Sequence, residues 1–133
     1  MIQLIHVCKI DIEKYQDAAD AHIITNDVIL TSNRIQHIID RRGSDFFDEY
    51  NKYFSAIILD PDYIFKDKKN TALAAKRFNH NGCFINIVLR LSIEGENPDY
   101  KNSIITAIKE NEKRFAQRLR NNTPIYKKLD NQE

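Results

Sequence analysis

One helix-like segment of the sequence, SNRIQHIIDRRG, carries a histidine between two arginines. At about 100 degrees per residue, Arg34, His37 and Arg41 fall within about 60 degrees of one another, on the side away from the isoleucines. Side chains at this spacing are neighbours on a helix surface, so one phosphate can contact all three. Nearby cations favour the neutral imidazole, which accepts a proton as a general base. The segment predicts either a helix face that binds phosphate and transfers protons or an ordinary solvated face.

Polar residues on the predicted strands form a second group. In FINIVLRL the apolar residues alternate with Asn86 and Arg90, which therefore share one face of a strand. The neighbouring strand adds Lys76 or Arg77, depending on the register, and NSIITAI adds Thr106. The pattern predicts a cationic, hydroxyl-bearing sheet surface. The alternative is an antiparallel sheet with one solvated face.

The N-terminal part of the sequence predicts two β segments and two helices. Residues 2–10 alternate with a period of two, which places Leu4, His6 and Cys8 on one side of a strand. A second β-rich piece, DVILT, leads into a helix that ends at Gly43. The residues that can cap this helix are Ser32 and Asn33. A second helix begins at Ser44 and stops before Pro61.

After Pro61 the sequence predicts four strands and a last helix. The strands are DYIF, TALAAKRF, CFINIVLRL and NSIITAI, and the helix is ENEKRFAQRLRNN. Asn81 and Gly82 between the second and third strands indicate a hairpin. The predicted fold class is α+β, with two N-terminal helices, a four-stranded antiparallel meander sheet, a C-terminal helix and an extra N-terminal β segment. Residues 1–129 form the single predicted domain, and residues 130–133 form a polar tail.

Composition narrows the classes of protein. The 133 residues, 42% hydrophobic and 29% charged, are typical of one globular domain. Twenty basic and nineteen acidic residues give a net charge of +1, so only a local site can attract a polyanion. The sequence has no apolar run of about 18 residues and no secretory signal, which predicts a cytoplasmic protein. Cys8 and Cys83 lack metal-ligand spacing, and no dinucleotide-binding, P-loop, zincin or serine-hydrolase motif is present.

From Thr25 to Lys128 the sequence resembles a superfamily of ribonucleases. The matching pieces are VILTSNRIQHIIDRR, DPDYIF, the AKRF strand, VLRL, KNSIITAI and LRNNTPIYKK. In this order they are similar to the phage-associated branch of the superfamily that groups barnase, EndoU, colicin and RelE-like nucleases, the BECR fold. The resemblance implies a BECR-like nuclease domain that acts as a small, metal-independent endoribonuclease without a cofactor. Such enzymes are often toxins carried by phages or mobile elements.

The resemblance also implies roles for individual residues. In such enzymes the 2′-hydroxyl of RNA attacks the adjacent phosphodiester and leaves a 2′,3′-cyclic phosphate, which requires acid–base groups and positive charge. The implied catalytic residues are His37, Arg41, Arg90 and Thr106. The implied substrate-binding residues are Arg34, Arg42, Lys76, Asn86 and Ser103, and no metal ligand is implied. The implied partner is RNA, tRNA included, and not a membrane; an immunity or antitoxin protein and the oligomeric state are left open.

Arg42 departs from the family pattern. Family members usually carry a second histidine at this end of the helix, and a guanidinium does not exchange protons near neutral pH. The alternative function is therefore a catalytically silent BECR-fold module that binds RNA or a protein. A third hypothesis is a DNA-binding regulator that uses the basic C-terminal helix. The residues that would contact phosphates are Lys113, Arg114, Gln117, Arg118 and Arg120.

Overall fold

A mixed β-sheet of seven strands is the centre of the fold. The structure is a computed structural model that describes residues 3–79 and 82–129. The strands are β1 Leu4–Lys9, β2 Asp27–Thr31, β3 Tyr63–Lys66, β4 Thr71–Phe78, β5 Cys83–Arg90, β6 Asn102–Asn111 and β7 Tyr126–Lys127. They lie in the order β1-β2-β6-β5-β4-β3-β7, in which β2 and β6 are parallel and all other neighbours antiparallel. The predicted polar tail, Ile2 of the first predicted strand and Asn81 of the predicted hairpin lie outside the described residues.

The helices are short, and each lies between two strands in the sequence. They are α1 Ile12–Tyr15, α2 Ser32–Arg42, α3 Ser44–Tyr50, α4 Phe54–Leu59 and α5 Glu112–Asn121. Single 3-10 turns, Gln16–Ala18 and Asn51–Tyr53, follow α1 and α3. Within the described ranges, no helix has the length and apolar character needed to cross a membrane.

The two faces of the sheet differ in what covers them. The front face is the side that carries the even-numbered residues of β5: Phe84, Asn86, Val88 and Arg90. The back face carries the odd-numbered ones: Cys83, Ile85, Ile87 and Leu89. Helices α2, α3 and α4 bury the back face through side chains that include Ile38, Tyr50 and Phe54. On the front face, α5 covers one end through Phe115, whose ring stacks on Phe84 with centroids 3.6 Å apart.

The register of the strands decides which polar residues share a face. Directly paired residues point to the same side of a sheet. Arg77 pairs with Phe84 and therefore lies on the front face, whereas Lys76 pairs with Ile85 and lies on the back face. The predicted alternation along β5 is confirmed. The sequence left open whether Lys76 or Arg77 shares a face with Asn86 and Arg90, and the structure shows that it is Arg77.

The predicted fold plan is wrong as a whole. The four predicted strands do pair in succession as an antiparallel meander, β3 to β6. They are, however, the middle of a seven-stranded sheet that also contains a parallel pair, and the helices do not divide into two before the meander and one after it. The parallel pairing of β2 with β6 joins Val28 to Asn102. Such a contact between distant parts of the chain has no local turn signal, so the spacing of apolar residues does not reveal it.

The predicted second helix is interrupted. A 3-10 turn at Asn51–Tyr53 separates α3 from α4. The Asn51 side chain donates a hydrogen bond of 2.6 Å to the carbonyl of Phe47, an acceptor that a continuing helix uses for its own backbone. The Asn51 backbone N–H donates to the same carbonyl, so both groups of Asn51 bind the last turn of α3, where the 3-10 turn begins. The apolar spacing alone does not show this boundary.

Helix α2 has the predicted end but a different start. Thr31, and not Ser32 or Asn33, is its N-cap, because the Thr31 hydroxyl accepts a hydrogen bond of 3.3 Å from the backbone of Arg34. Gly43 ends the helix with φ +96°, a conformation that favours glycine. The cap lies one residue before Ser32 and two before Asn33, because Thr31 is both the last residue of β2 and the cap.

Candidate active site

A concave pocket of about 630 Å³ opens on the front face, beyond the end that α5 covers. Its volume lies in the range of small-ligand sites. Strands β1, β2 and β6, the end of β5 and the loop 91–101 form its walls. The charged or titratable residues that line it are His6, Asp27, Arg90, Glu96, Asp99 and Lys101. The remaining lining residues are the hydroxyl-bearing Thr31, Ser92 and Ser103 and the larger Leu4, Ile29 and Tyr100.

A bulge in β1 turns His6 into this pocket. His6 pairs with Ile29 of β2, but Cys8 pairs with the adjacent Val28, so the register slips between the two pairs. Because the period of two is interrupted, Leu4 and His6 line the pocket while Cys8 is buried in the back-face core. The prediction that Leu4, His6 and Cys8 share one side of the strand is wrong for this reason.

Asp27 joins His6 to Lys101. Its Oδ1 lies 3.1 Å from His6 Nε2, and its Oδ2 lies 3.2 Å from Lys101 Nζ. Hydrogen bonds from Lys101 and His6 hold the pKa of the Asp27 carboxyl below its usual range, so this group is ionised at neutral pH. A carboxylate bound to one ring nitrogen fixes the orientation of an imidazole and leaves the other nitrogen free for a substrate.

Glu96 positions Arg90. The Arg90 guanidinium donates to the Glu96 carboxylate and to the carbonyl of Leu91. Glu96 also accepts a hydrogen bond of 3.1 Å from the backbone of Ile93. This backbone N–H and the guanidinium lower the pKa of the Glu96 carboxyl, which is therefore ionised at neutral pH. The Arg90 side chain remains 38% exposed, so an anion in the pocket can reach it.

Asn102 connects the walls of the pocket. Its buried side chain accepts a hydrogen bond of 2.8 Å from the backbone of Ser92 and donates one of 2.8 Å to the carbonyl of Thr25. The Ser92 hydroxyl in turn donates to the carbonyl of Lys101. The backbone of the loop 91–101 is thus attached both to β6 and to the segment before β2.

No family model, no curated protein and no solved structure matches the chain. The resemblance to BECR nucleases therefore stays a prediction. Within residues 3–79 and 82–129, no three His, Cys, Asp or Glu side chains are grouped so that they could hold a metal ion.

The site residues that the sequence predicts on α2 lie on the other side of the sheet from the pocket. Ile38 of α2 is buried in the back-face core, so the sheet separates this helix from Arg90. The predicted residues that point away from that core are Arg34, His37 and Arg41. None of their side chains makes a hydrogen bond or ion pair with another described residue. Arg42 donates through Nε to the carbonyl of Ala107 at 2.8 Å and thereby attaches α2 to β6.

The predicted strand residues divide between the two faces. Arg90 and Ser103 both line the pocket, because they pair with each other across β5 and β6. Lys76 is on the back face, where its ammonium lies 2.9 Å from the carbonyl and 3.3 Å from the carboxylate of Asp60. The structure thus brings together two of the nine predicted residues in the pocket and does not form one cleft between α2 and the front face.

Asn86 and Thr106 lie on the front face but outside the pocket lining. Asn86 is buried and donates a hydrogen bond of 2.8 Å to Glu110. Glu110 is also bound by Arg118 of α5, at 3.0 Å from Nε and 2.7 Å from a terminal nitrogen. The Thr106 hydroxyl is buried without a hydrogen-bond partner among the described residues. Arg118 therefore attaches α5 to the sheet through Glu110, which Asn86 binds from within the sheet, and Arg118 is not free to contact DNA.

Sequence reasoning missed His6, Asp27, Glu96 and Lys101 as site residues. Asp27 and Lys101 come together through the parallel pairing of β2 with β6, for which the sequence has no local sign. Glu96 lies in the polar loop EGENPDYK, whose sequence predicts only a solvent-exposed connection. The sequence does contain one sign of His6, because a titratable side chain stands among the apolar positions of a strand. The face of the sheet on which His6 lies, however, depends on the bulge.

Proposed function

We propose that the chain is a metal-independent endoribonuclease whose active site is the front-face pocket. The observation that carries the proposal is that His6, oriented by Asp27, lines the same pocket as Arg90 and Lys101. A proton-accepting imidazole and two cations suit cleavage of RNA by its own 2′-hydroxyl. The resemblance to phage-associated BECR nucleases supports the same activity and shares Arg90 with this site, whereas His6 takes the place of His37.

In the proposed reaction His6 is the general base. Its imidazole takes the proton of the 2′-hydroxyl, the 2′-oxygen forms a bond to phosphorus, and the bond from phosphorus to the 5′-oxygen breaks. The products are a 2′,3′-cyclic phosphate and a 5′-hydroxyl that takes its proton from water. Arg90 and Lys101 stabilise the negative charge that develops on the phosphoryl oxygens. Asp27 keeps the imidazole in its orientation.

Incubation of the purified protein with total RNA in EDTA tests this activity. We expect fragments that end in 2′,3′-cyclic phosphate, because the nucleophile belongs to the RNA. Single-stranded DNA is the matched control substrate, and we expect it to stay intact because it lacks the 2′-hydroxyl. Intact RNA at a large excess of protein would refute the proposal.

Each cation of the pocket is already paired with a carboxylate, Arg90 with Glu96 and Lys101 with Asp27. A phosphate must therefore compete with Glu96 for the guanidinium. We expect Glu96→Gln to lower the KM for RNA about fivefold, the size of a partly exposed ion pair, and to leave kcat unchanged. The amide oxygen of glutamine still accepts the hydrogen bond from the Ile93 backbone. Steady-state kinetics on a short RNA measures both constants.

Glu94→Gln is the matched control for this substitution, since Glu94 is an exposed carboxylate in the same loop. We expect its kinetics to equal those of the wild type. A large fall of kcat in Glu96→Gln would show that the reaction needs the Glu96 carboxylate, as a base or to hold Arg90, and would contradict its role as a competitor of the phosphate.

An RNA- or protein-binding module without catalysis is the second candidate. Two observations favour it: Arg42 stands where the resembling family has a second histidine, and the pocket lining has three carboxylates but only two permanent cations, which suits a protein partner better than a phosphate. Such a module binds its partner without shortening RNA. The incubation in EDTA separates the two candidates, because the module leaves RNA of unchanged length.

A further inference from the structure

Large apolar side chains are exposed inside the same charged pocket. Tyr100 is 56% exposed and Leu4 is 60% exposed, and both line the pocket together with Ile29. Leu4 and Ile29 come from adjacent strands, and Tyr100 comes from the loop that precedes β6. An aromatic ring and two aliphatic side chains suit the flat, apolar surface of a planar ring system.

The turn that carries Tyr100 is held by Asn97. The backbone of Tyr100 donates to the Asn97 carbonyl at 3.0 Å, and the backbone of Asp99 donates to the Asn97 side chain at 2.9 Å. These bonds leave the Asp99 carboxylate exposed at the pocket, and it makes no hydrogen bond or ion pair with any residue of the described ranges. A free carboxylate next to an aromatic ring accepts hydrogen bonds from amino groups and repels carbonyl oxygens.

We propose that this part of the pocket binds an unpaired nucleobase that carries an exocyclic amino group. The base stacks on Tyr100 and packs against Leu4 and Ile29, and its amino group donates to Asp99. This inference rests on the proposed function and names its substrate class, single-stranded RNA that presents adenine, cytosine or guanine rather than uracil at this position.

Size and chemistry both favour one unpaired base. A cavity of about 630 Å³ accommodates one nucleotide, whereas a base inside a duplex is stacked on its neighbours and cannot also stack on a side chain. Stacking on an aromatic ring tolerates any base, so the ring alone sets no preference. The carboxylate adds the preference, because carboxylates accept from the amino group of cytosine but not from the oxygen that uracil has in its place.

The test compares pentamers of deoxycytidine and deoxyuridine, labelled with a fluorophore, by anisotropy. These oligonucleotides lack the 2′-hydroxyl, so binding is measured without cleavage. We expect the wild type to bind the cytidine pentamer about tenfold more tightly than the uridine pentamer, since each good base contact discriminates by this order. We expect Tyr100→Ala to weaken binding of both about tenfold, and Tyr100→Phe, which keeps the ring, to bind like the wild type.

Asp99→Asn separates the role of the carboxylate from that of the ring. The amide can donate to uracil as well as accept from cytosine, so we expect the preference for cytidine to disappear while the overall affinity persists. Asp17→Asn is the matched control, because Asp17 is an exposed aspartate outside the pocket lining. We expect it to keep the preference of the wild type.

Three results would overturn the inference: equal affinity of the wild type for the two pentamers, unchanged affinity of Tyr100→Ala, or equal affinity for a blunt duplex. Its failure is distinguishable from failure of the proposed function. Cleavage that does not respond to Tyr100→Ala or Asp99→Asn removes the base site alone. A cytidine preference that depends on Tyr100 and Asp99, together with intact RNA in EDTA, supports the base site and removes the nuclease.

Discussion

Replacement of His6 by alanine is expected to lower kcat for RNA cleavage by about a hundredfold or more, the usual contribution of a general base. His6 is the group that takes the proton of the 2′-hydroxyl in the proposed reaction. Its side chain is 50% exposed and contributes no core packing, so the variant should fold like the wild type. Single-turnover rates at saturating protein measure the effect, and far-ultraviolet circular dichroism checks the fold.

His22→Ala is the matched control, because His22 is an exposed histidine that does not line this pocket. We expect its cleavage rate to equal that of the wild type. The competing hypothesis is the histidine of α2, which the sequence resemblance favours. Loss of cleavage in His37→Ala together with normal cleavage in His6→Ala would move the active site to α2 and contradict the assignment to the front-face pocket.

Arg118→Ala is expected to lower the free energy of unfolding by about 3 kcal/mol, because it leaves the Glu110 carboxylate buried without its cation. Glu110 is only 6% exposed, and Arg118 contacts both of its oxygens. Asn86 alone remains as a donor in the variant. Urea unfolding at neutral pH measures the loss. Glu112→Gln, which removes an exposed carboxylate of the same helix, is expected to cost much less.

The loss should depend on pH. Burial raises the pKa of the Glu110 carboxyl, but hydrogen bonds from Arg118 and Asn86 outweigh burial and hold this pKa below its usual range. A lowered pKa in the folded state stabilises the protein above the unfolded-state pKa, and this contribution disappears as the pH falls through the folded-state pKa. We therefore expect the difference between wild type and Arg118→Ala to be largest near neutral pH and to shrink in acid.

The double variant Arg118→Ala/Glu110→Gln completes this experiment. Without the carboxylate there is no buried charge to compensate, so we expect part of the lost stability to return. Equal stability of wild type and Arg118→Ala, or a difference that does not change with pH, would contradict the interpretation of Glu110 as a buried charge held by α5.

Local patterns were sufficient to predict the meander but not the whole sheet. The alternation along β5 shows which residues face the back-face core. Strands that follow one another in the sequence, from β3 to β6, pair as expected. The pairing of β2 with β6 and the edge position of β7 depend on packing between distant segments. Asn51 illustrates a third limit, because it lies at the boundary between α3 and a 3-10 turn, and the spacing of apolar residues continues through this boundary.

The candidate site was predictable only where strand register alone decides it. Arg90 and Ser103 are neighbours for that reason. Helical spacing correctly separates His37 from the isoleucines of α2, but it does not tell which face of the sheet the helix covers. A single slip of register in β1, between His6 and Cys8, puts His6 on the pocket side although Cys8 faces the core, and the period of two does not reveal this slip.

The parallel pair β2–β6 has a consequence for the order in which the pocket forms. His6 and Asp27 come from the first two strands, whereas Lys101 directly precedes β6 and Ser103 lies at its start. A polypeptide still growing on the ribosome lacks one wall of the pocket until β6 has emerged from the exit tunnel. Under the proposed function, a nascent chain is therefore harmless to the messenger from which it is being translated for most of its synthesis.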